Sequence, residues 1–222
     1  MRYLALASDY DGTLATDGQV EESTLAALRR LRDSGRQLIL VTGRQLDDLL
    51  RVFAQVDLFD YVIAENGALL YSPVTRQEKL LSEPSPKVFV QKLQERGVEP
   101  LSLGRVIVAT WHPHETTVQA VLNELSLDWQ VILNKDAVMV LPAGLDKAAG
   151  LQVALKDLAL SADAVVGVGD AENDQAFLDL CGYSVAVANA LPMLREHCDW
   201  VTEAARGAGV VELIEKLITS DL

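Results

Sequence analysis

Cysteine is scarce: Cys181 and Cys198 are the two in 222 residues. They form neither a disulfide framework nor a zinc-ligand set, a usage that fits a reducing compartment. No apolar run approaches the length of a membrane-spanning helix, and the N-terminus lacks the charged, apolar and small-residue succession of a leader. Basic residues are outnumbered, 19 Lys and Arg against 32 Asp and Glu, for a net charge of −13. An acidic surface repels nucleic-acid phosphates and anionic membranes. These absences lead us to expect a cytoplasmic chain with no nucleic-acid or membrane partner. An anionic small molecule would need a locally positive site. The oligomeric state is left open. Half of the residues are hydrophobic, enough to build a sizeable core in one large domain or in a domain with a modest insertion.

The pattern along the chain is regular at both ends. Residues 3–8 read as a buried strand. A helix follows over 20–35, with Leu25, Leu28 and Leu31 at helical spacing, Ser23 as its cap and Gly35 as its stop. The run from Gln37 to Gly43 is a second strand, Leu46, Leu49, Leu50 and Phe53 mark a second helix, and Tyr61 opens a third strand that ends at the turn signal Glu65-Asn66-Gly67. Strands and helices alternating with short connections predict parallel pairing with right-handed crossovers. The stretch 71–142 differs: short strand candidates and two amphipathic helices, punctuated by Pro84, Pro86, Pro113 and Pro142. After it the alternation returns, with a helix expected over 172–182 and ended by Gly182. The expected architecture is α/β, with a Rossmann-like parallel-sheet core over 1–70 and 143–222 and an inserted α+β cap over 71–142.

Three core strands end in polar residues: Asp9 with Asp11, Thr42 with Gly43 and Arg44, and Asp170 with Asn173 and Asp174. Open α/β sheets bind ligands beyond the carboxyl ends of their strands, so the three groups are expected at one rim. Lys147, at the start of the helix before the fourth core strand, is placed to reach the same rim. Asp9 and Asp11 in an extended strand would share a face and repel, which a bound cation would offset. Hard oxygen ligands favour Mg²⁺, and a lysine and a hydroxyl suit phosphate oxygens. Taken alone, the Asp9–Asp11 pair is an ordinary solvated turn. Together the residue types describe a phosphoryl-transfer site.

The segments D-Y-D-G-T-L, V-T-G-R, the lysine of G-L-D-K, and G-D-A-E-N-D resemble, in order and separation, the four motifs of haloacid dehalogenase superfamily phosphatases. The insertion after the third strand resembles the cap of their Cof-like branch. That resemblance implies a HAD-like core and a hydrolase of small phosphorylated metabolites, either a sugar phosphate or a phosphoglycolate-like acid. It implies Asp9 as nucleophile and Asp11 as general acid and base. Thr42, Gly43, Arg44, Lys147 and Asn173 would be at the phosphoryl group and substrate. Mg²⁺ would be held by Asp9, Asp11 (through its backbone carbonyl), Asp170 and Asp174. Arg44 either meets substrate or pairs with an acid of the core. Asn173 either binds substrate or braces its loop, and Asn66 either faces the cleft or closes a plain turn. A phosphomutase shares the motifs, and a metal-binding protein without turnover is a third reading. In the insertion, Arg105, His112, His114 and Lys135 are the polar candidates for contact with a leaving group. A metal role for the two histidines is the less favoured reading.

Overall fold

The computed structural model describes residues 2–134 and 136–219. The first half of the core comprises β1 (Ala5–Asp9), α1 (Glu22–Asp33), β2 (Gln37–Val41), α2 (Leu46–Val52) and β3 (Tyr61–Ala64). Next come β4 (Leu69–Ser72) and β5 (Gln77–Leu80), then α3 (Lys87–Glu95), β6 (Ser102–Leu103), β7 (Val108–Trp111), α4 (Glu115–Glu124), β8 (Trp129–Asn134) and β9 (Ala137–Pro142). The chain ends with α5 (Lys147–Asp157), β10 (Val165–Gly169), α6 (Gln175–Leu180), β11 (Tyr183–Ala186), α7 (Pro192–His197), β12 (Trp200–Val201) and α8 (Arg206–Thr219).

The larger sheet has the order β12-β11-β10-β1-β2-β3-β4-β5. From β12 to β3 its strands run parallel. All of β1 and β10 is buried, as expected of central strands covered by helices on both faces. Strand order reverses beside β1, where the crevice for a ligand opens in such folds.

Three expectations need correction. The insertion does not begin at residue 71. Strands β4 and β5 pair antiparallel onto the edge of β3, with Val62 opposite Tyr71 and Leu69 opposite Leu80. Burying Leu69, Leu70 and Tyr71 against the core draws this hairpin into the larger sheet. A strand pattern identifies a strand, not the sheet it joins. Ser23 is not a cap either: α1 starts at Glu22 behind Glu21, which makes no side-chain cap bond. Gly35 does follow the helix, in the left-handed region at φ +87°. The expected helix over 172–182 is shorter, a 3₁₀ turn over Glu172–Asp174 leading into α6.

A second sheet, ordered β6-β7-β9-β8 and antiparallel, forms the smaller layer. Alternation divides its faces. Val108, Val138 and Val140 pack under α3 and α4 against Phe89, Leu93, Val118 and Leu122. Ala109, Trp111, Ala137 and Met139, on the opposite face, overlook the rim of the larger sheet.

Candidate active site

The rim is built by chain reversals at three strand ends. Strand β1 stops at Asp9, and Gly12 turns the chain at φ +87°. A Cβ on Gly12 would lie 2.4 Å from Asp170 Oδ2, so the glycine is what allows the first turn to approach the end of β10. Gly169 does the same for the neighbouring strand end: a Cβ there would lie 2.7 Å from Asp174 Oδ2. Asp174 therefore folds back, and its Oδ2 accepts the backbone N–H groups of Asp170 and Ala171, both at 2.9 Å. Thr13 Oγ1 donates to Asp170 Oδ1 at 3.4 Å. Asn189 Nδ2 donates to the Gly12 carbonyl at 2.9 Å.

Lys147 enters from the first turn of α5. Asp146 caps that helix, its side chain accepting from Ala149 N at 2.8 Å. Gly67, at φ +103°, lets the preceding turn press on this cap, where a Cβ would lie 1.8 Å from the Asp146 carbonyl oxygen. The ammonium of Lys147 is buried and donates to Asp9 Oδ1 and Asp174 Oδ1, both at 2.6 Å. Burial alone would push the Lys147 ammonium down. The charges of Asp174 and Asp9 outweigh it and hold the group above its ordinary value. Burial raises the Asp9 carboxyl, and the charge of Asp174 raises it further, against the pull of Lys147.

Asp9, Asp170 and Asp174 each offer a ligand atom within 4.8 Å of one another, all three residues buried. Asp9 Oδ2 is buried with no hydrogen-bond partner among the described residues. An unpaired carboxylate oxygen inside an acidic cluster is costly without a cation, so the donor set fits a divalent metal. The Asp11 carboxylate is not in this cluster. It turns to Arg44, which meets it through Nε at 2.6 Å and Nη2 at 2.7 Å and also binds Asp48. The repulsion expected between Asp9 and Asp11 is thus resolved by two separate cations, Lys147 for one and Arg44 for the other.

The other expected residues fall as follows. Thr42 is buried, and its Oγ1 accepts from Arg44 N at 3.0 Å. Gly43 and Asn173 line the cavity. Asn173 Nδ2 donates to Asn66 Oδ1 at 3.0 Å, so the two uncertain amides brace each other. In the smaller layer, Arg105 pairs with Asp47 and Glu78, His112 with Glu115, and His114 with the Glu99 carbonyl. None of the three lines the cavity, and Lys135 lies outside the described residues. The roof is made instead by Ala109, Trp111, Asn134, Ala137 and Met139, with Ser102 at its edge. Sequence reasoning missed them, although the alternation within 108–111 and 137–142 carried the signal. The cavity between roof and rim measures about 650 Å³, within the usual range for small-molecule sites.

An α/β rim with a cation-ready acidic cluster and a buried lysine under a separate roof defines a class of enzyme, and comparison with known proteins gives its family. A model of haloacid dehalogenase-like hydrolases matches residues 6–105 and 115–214. The chain belongs to this family, as a phosphatase of its Cof-like branch. It is similar to a phosphoglycolate phosphatase of Methanothermobacter thermautotrophicus, 31% identical over 96% of this chain and 98% of that one. It is also similar to phosphoglycolate phosphatase 2 of Saccharolobus solfataricus, 28% identical over 98% and 94%. Among solved structures, a haloacid dehalogenase-like hydrolase from Bacteroides thetaiotaomicron superposes with a TM-score of 0.82 at 18% identity, over 97% of this chain and 99% of that one. Another from B. subtilis gives 0.76 at 18%, over 96% and 99%. These two likenesses bear on the fold.

Proposed function

We propose that the chain hydrolyses a small phosphomonoester, a phosphoglycolate-like acid or a sugar phosphate, through a phosphoryl group carried on Asp9. The observation that carries this reading is the state of Asp9: one carboxylate oxygen is fixed by Lys147 and the other is buried without a partner beside Asp170 and Asp174. In this reading an Asp9 oxygen bonds to phosphorus as the ester P–O bond breaks, and Asp11, protonated once it leaves the Arg44 fork seen here, gives that proton to the departing oxygen. Asp11 then takes a proton from water, whose oxygen attacks phosphorus. Inorganic phosphate leaves and the Asp9 carboxylate is restored. Lys147, Thr42 and the backbone at Gly43 hold the phosphoryl oxygens, and Asn173 orients them from the cavity wall. Arg44 is assigned to Asp11 instead of to substrate, because its guanidinium is committed to that carboxylate and to Asp48. Mg²⁺ is the metal that suits Asp9, Asp170, Asp174 and the Asp11 carbonyl, and when bound it neutralises the approach of an anionic nucleophile to a phosphate dianion. The names of the phosphoglycolate phosphatase relatives support the two-carbon acid as the first substrate to try.

The test is inorganic phosphate release from 2-phosphoglycolate and a panel of sugar phosphates, by the wild type and by Asp9→Asn. The variant is expected to lose turnover by a factor on the order of 10³ or more with an unchanged circular dichroism spectrum. Phosphate release by Asp9→Asn at the wild-type rate refutes the covalent mechanism. Isomerised sugar phosphate without phosphate release turns the reading to a mutase.

A further inference from the structure

The segment Glu65–Asn66–Gly67 leaves β3 with three successive residues in the left-handed region, φ +52°, +55° and +103°. For Glu and Asn this is an unfavourable backbone that persists only where the surroundings impose it. Here both faces of the segment are fastened. Glu65 N donates to the Arg44 carbonyl at 2.9 Å and Asn66 N to the Thr42 carbonyl at 3.0 Å. On the other side, the fully buried Glu65 carboxylate reaches into the smaller layer. Its Oε1 accepts from Arg105 N at 2.7 Å, and its Oε2 from Val106 N at 2.8 Å and Ile107 N at 3.0 Å. Three N–H groups satisfy a buried carboxylate well enough to offset its loss of water. Gly104 makes the approach possible, since a Cβ there would lie 2.5 Å from Oε1.

We propose that Glu65 is a positioning residue that docks the smaller layer on the core and sets the height of the roof above the rim. This rests on the phosphatase reading above. The covalent connections between the layers are the two chain segments before α3 and after β9, and two such connections alone permit a hinge. The clasp at 105–107 adds a third attachment, immediately before β7, whose Ala109 and Trp111 belong to the roof. Exposed contacts reinforce the same segment: Arg105 with Asp47 and Glu78, and Gln45 Nε2 with Ser102 Oγ at 2.8 Å. The roof is thereby a fixed wall. A leaving group is measured against it, while the phosphoryl group is handled below.

The experiment uses the full chain, with Glu65→Gln and, from the opposite side of the clasp, Gly104→Ala. Gln places an N–H₂ group against N–H donors, and Ala pushes the carboxylate away. Hydrogen exchange at the amides of 105–107 is expected to rise about tenfold or more in either variant. For 2-phosphoglycolate, kcat/KM should fall about tenfold, chiefly through KM, while that for 4-nitrophenyl phosphate changes less than about twofold. Equal losses for both esters mean that Glu65 acts through the Thr42–Arg44 loop and overturn the proposal. Unchanged exchange in the variants, or rapid exchange of these three amides in the wild type, overturns it as well. If the wild type releases phosphate from neither ester, the phosphatase reading has failed, and the exchange measurements still decide the clasp. If Glu65→Gln does not fold, Gly104→Ala decides by the same measurements.

Discussion

Arg44 grips Asp11 with two parallel N–H···O bonds, Nε to Oδ2 and Nη2 to Oδ1, in the planar fork that a guanidinium shares with a carboxylate. Asp48 binds the remaining Nη1. A lysine has one ammonium and cannot hold both oxygens in a plane. Arg44→Lys is expected to lower kcat about 10- to 100-fold while moving the KM for a small aryl phosphate by less than about threefold. Steady-state kinetics distinguish this from a substrate contact, which would raise KM first.

Lys147 sits between Asp9 and Asp174 with its side chain almost wholly buried. Lys147→Met keeps much of the volume and removes the charge, leaving two buried carboxylates near Asp170. We expect a loss of about 3–5 kcal/mol in stability, read as a lower melting temperature. Millimolar Mg²⁺ should recover some of it, because a cation that binds only the folded chain stabilises it. A variant that melts like the wild type would mean that the carboxylates are not charged in the folded protein.

Metal removal tests the same cluster. Exhaustive chelation is expected to abolish phosphate release and to lower the melting temperature. Mg²⁺ should restore both, and Zn²⁺ should do so poorly, since no Cys or His belongs to the Asp9, Asp170 and Asp174 group. Full activity in the chelated enzyme would remove the metal from the mechanism.

The cysteines, neither of which lines the cavity, offer a pH test. Burial pushes the Cys181 thiol up to about 12 and the Cys198 thiol up to about 11. Raised values keep both protonated at neutral pH, and the thiolate is the reactive form. At pH 8 a thiol titrating near 11 is ionised in about one molecule per thousand, against about one in four for an ordinary thiol near 8.5. Alkylation of the native protein by iodoacetamide should therefore be slow at pH 8 and accelerate on unfolding. Rapid native labelling at pH 8 would show that these thiols are not shielded.

Much of this protein was settled by the order of its residues. The apolar runs at 3–7, 38–41 and 165–168 have one stable use, as central parallel strands buried on both faces. The residues that end such a strand must lie at the sheet's carboxyl edge, so Asp9, Thr42 and Asp170 were legible as neighbours from their order alone. Local patterns have this power because strand and helix periods, caps and turns are decided within a few residues. The partners of those groups were not legible. Lys147 lies 138 positions from Asp9, and Arg44 lies 33 from Asp11. Nothing local says which cation neutralises which carboxylate. The same holds for the hairpin β4–β5, whose pattern suits either sheet until Leu69 and Leu70 are buried against the core. It holds for the roof too, where Trp111 and Met139 lie over the cavity while Arg105, His112 and His114 face elsewhere. Glu65 reads as a turn residue in the sequence, and only the packing of Gly104 against its carboxylate makes it the junction of two layers. Charge pairing and docking depend on distance through space, which the chain acquires only when its layers have closed on one another.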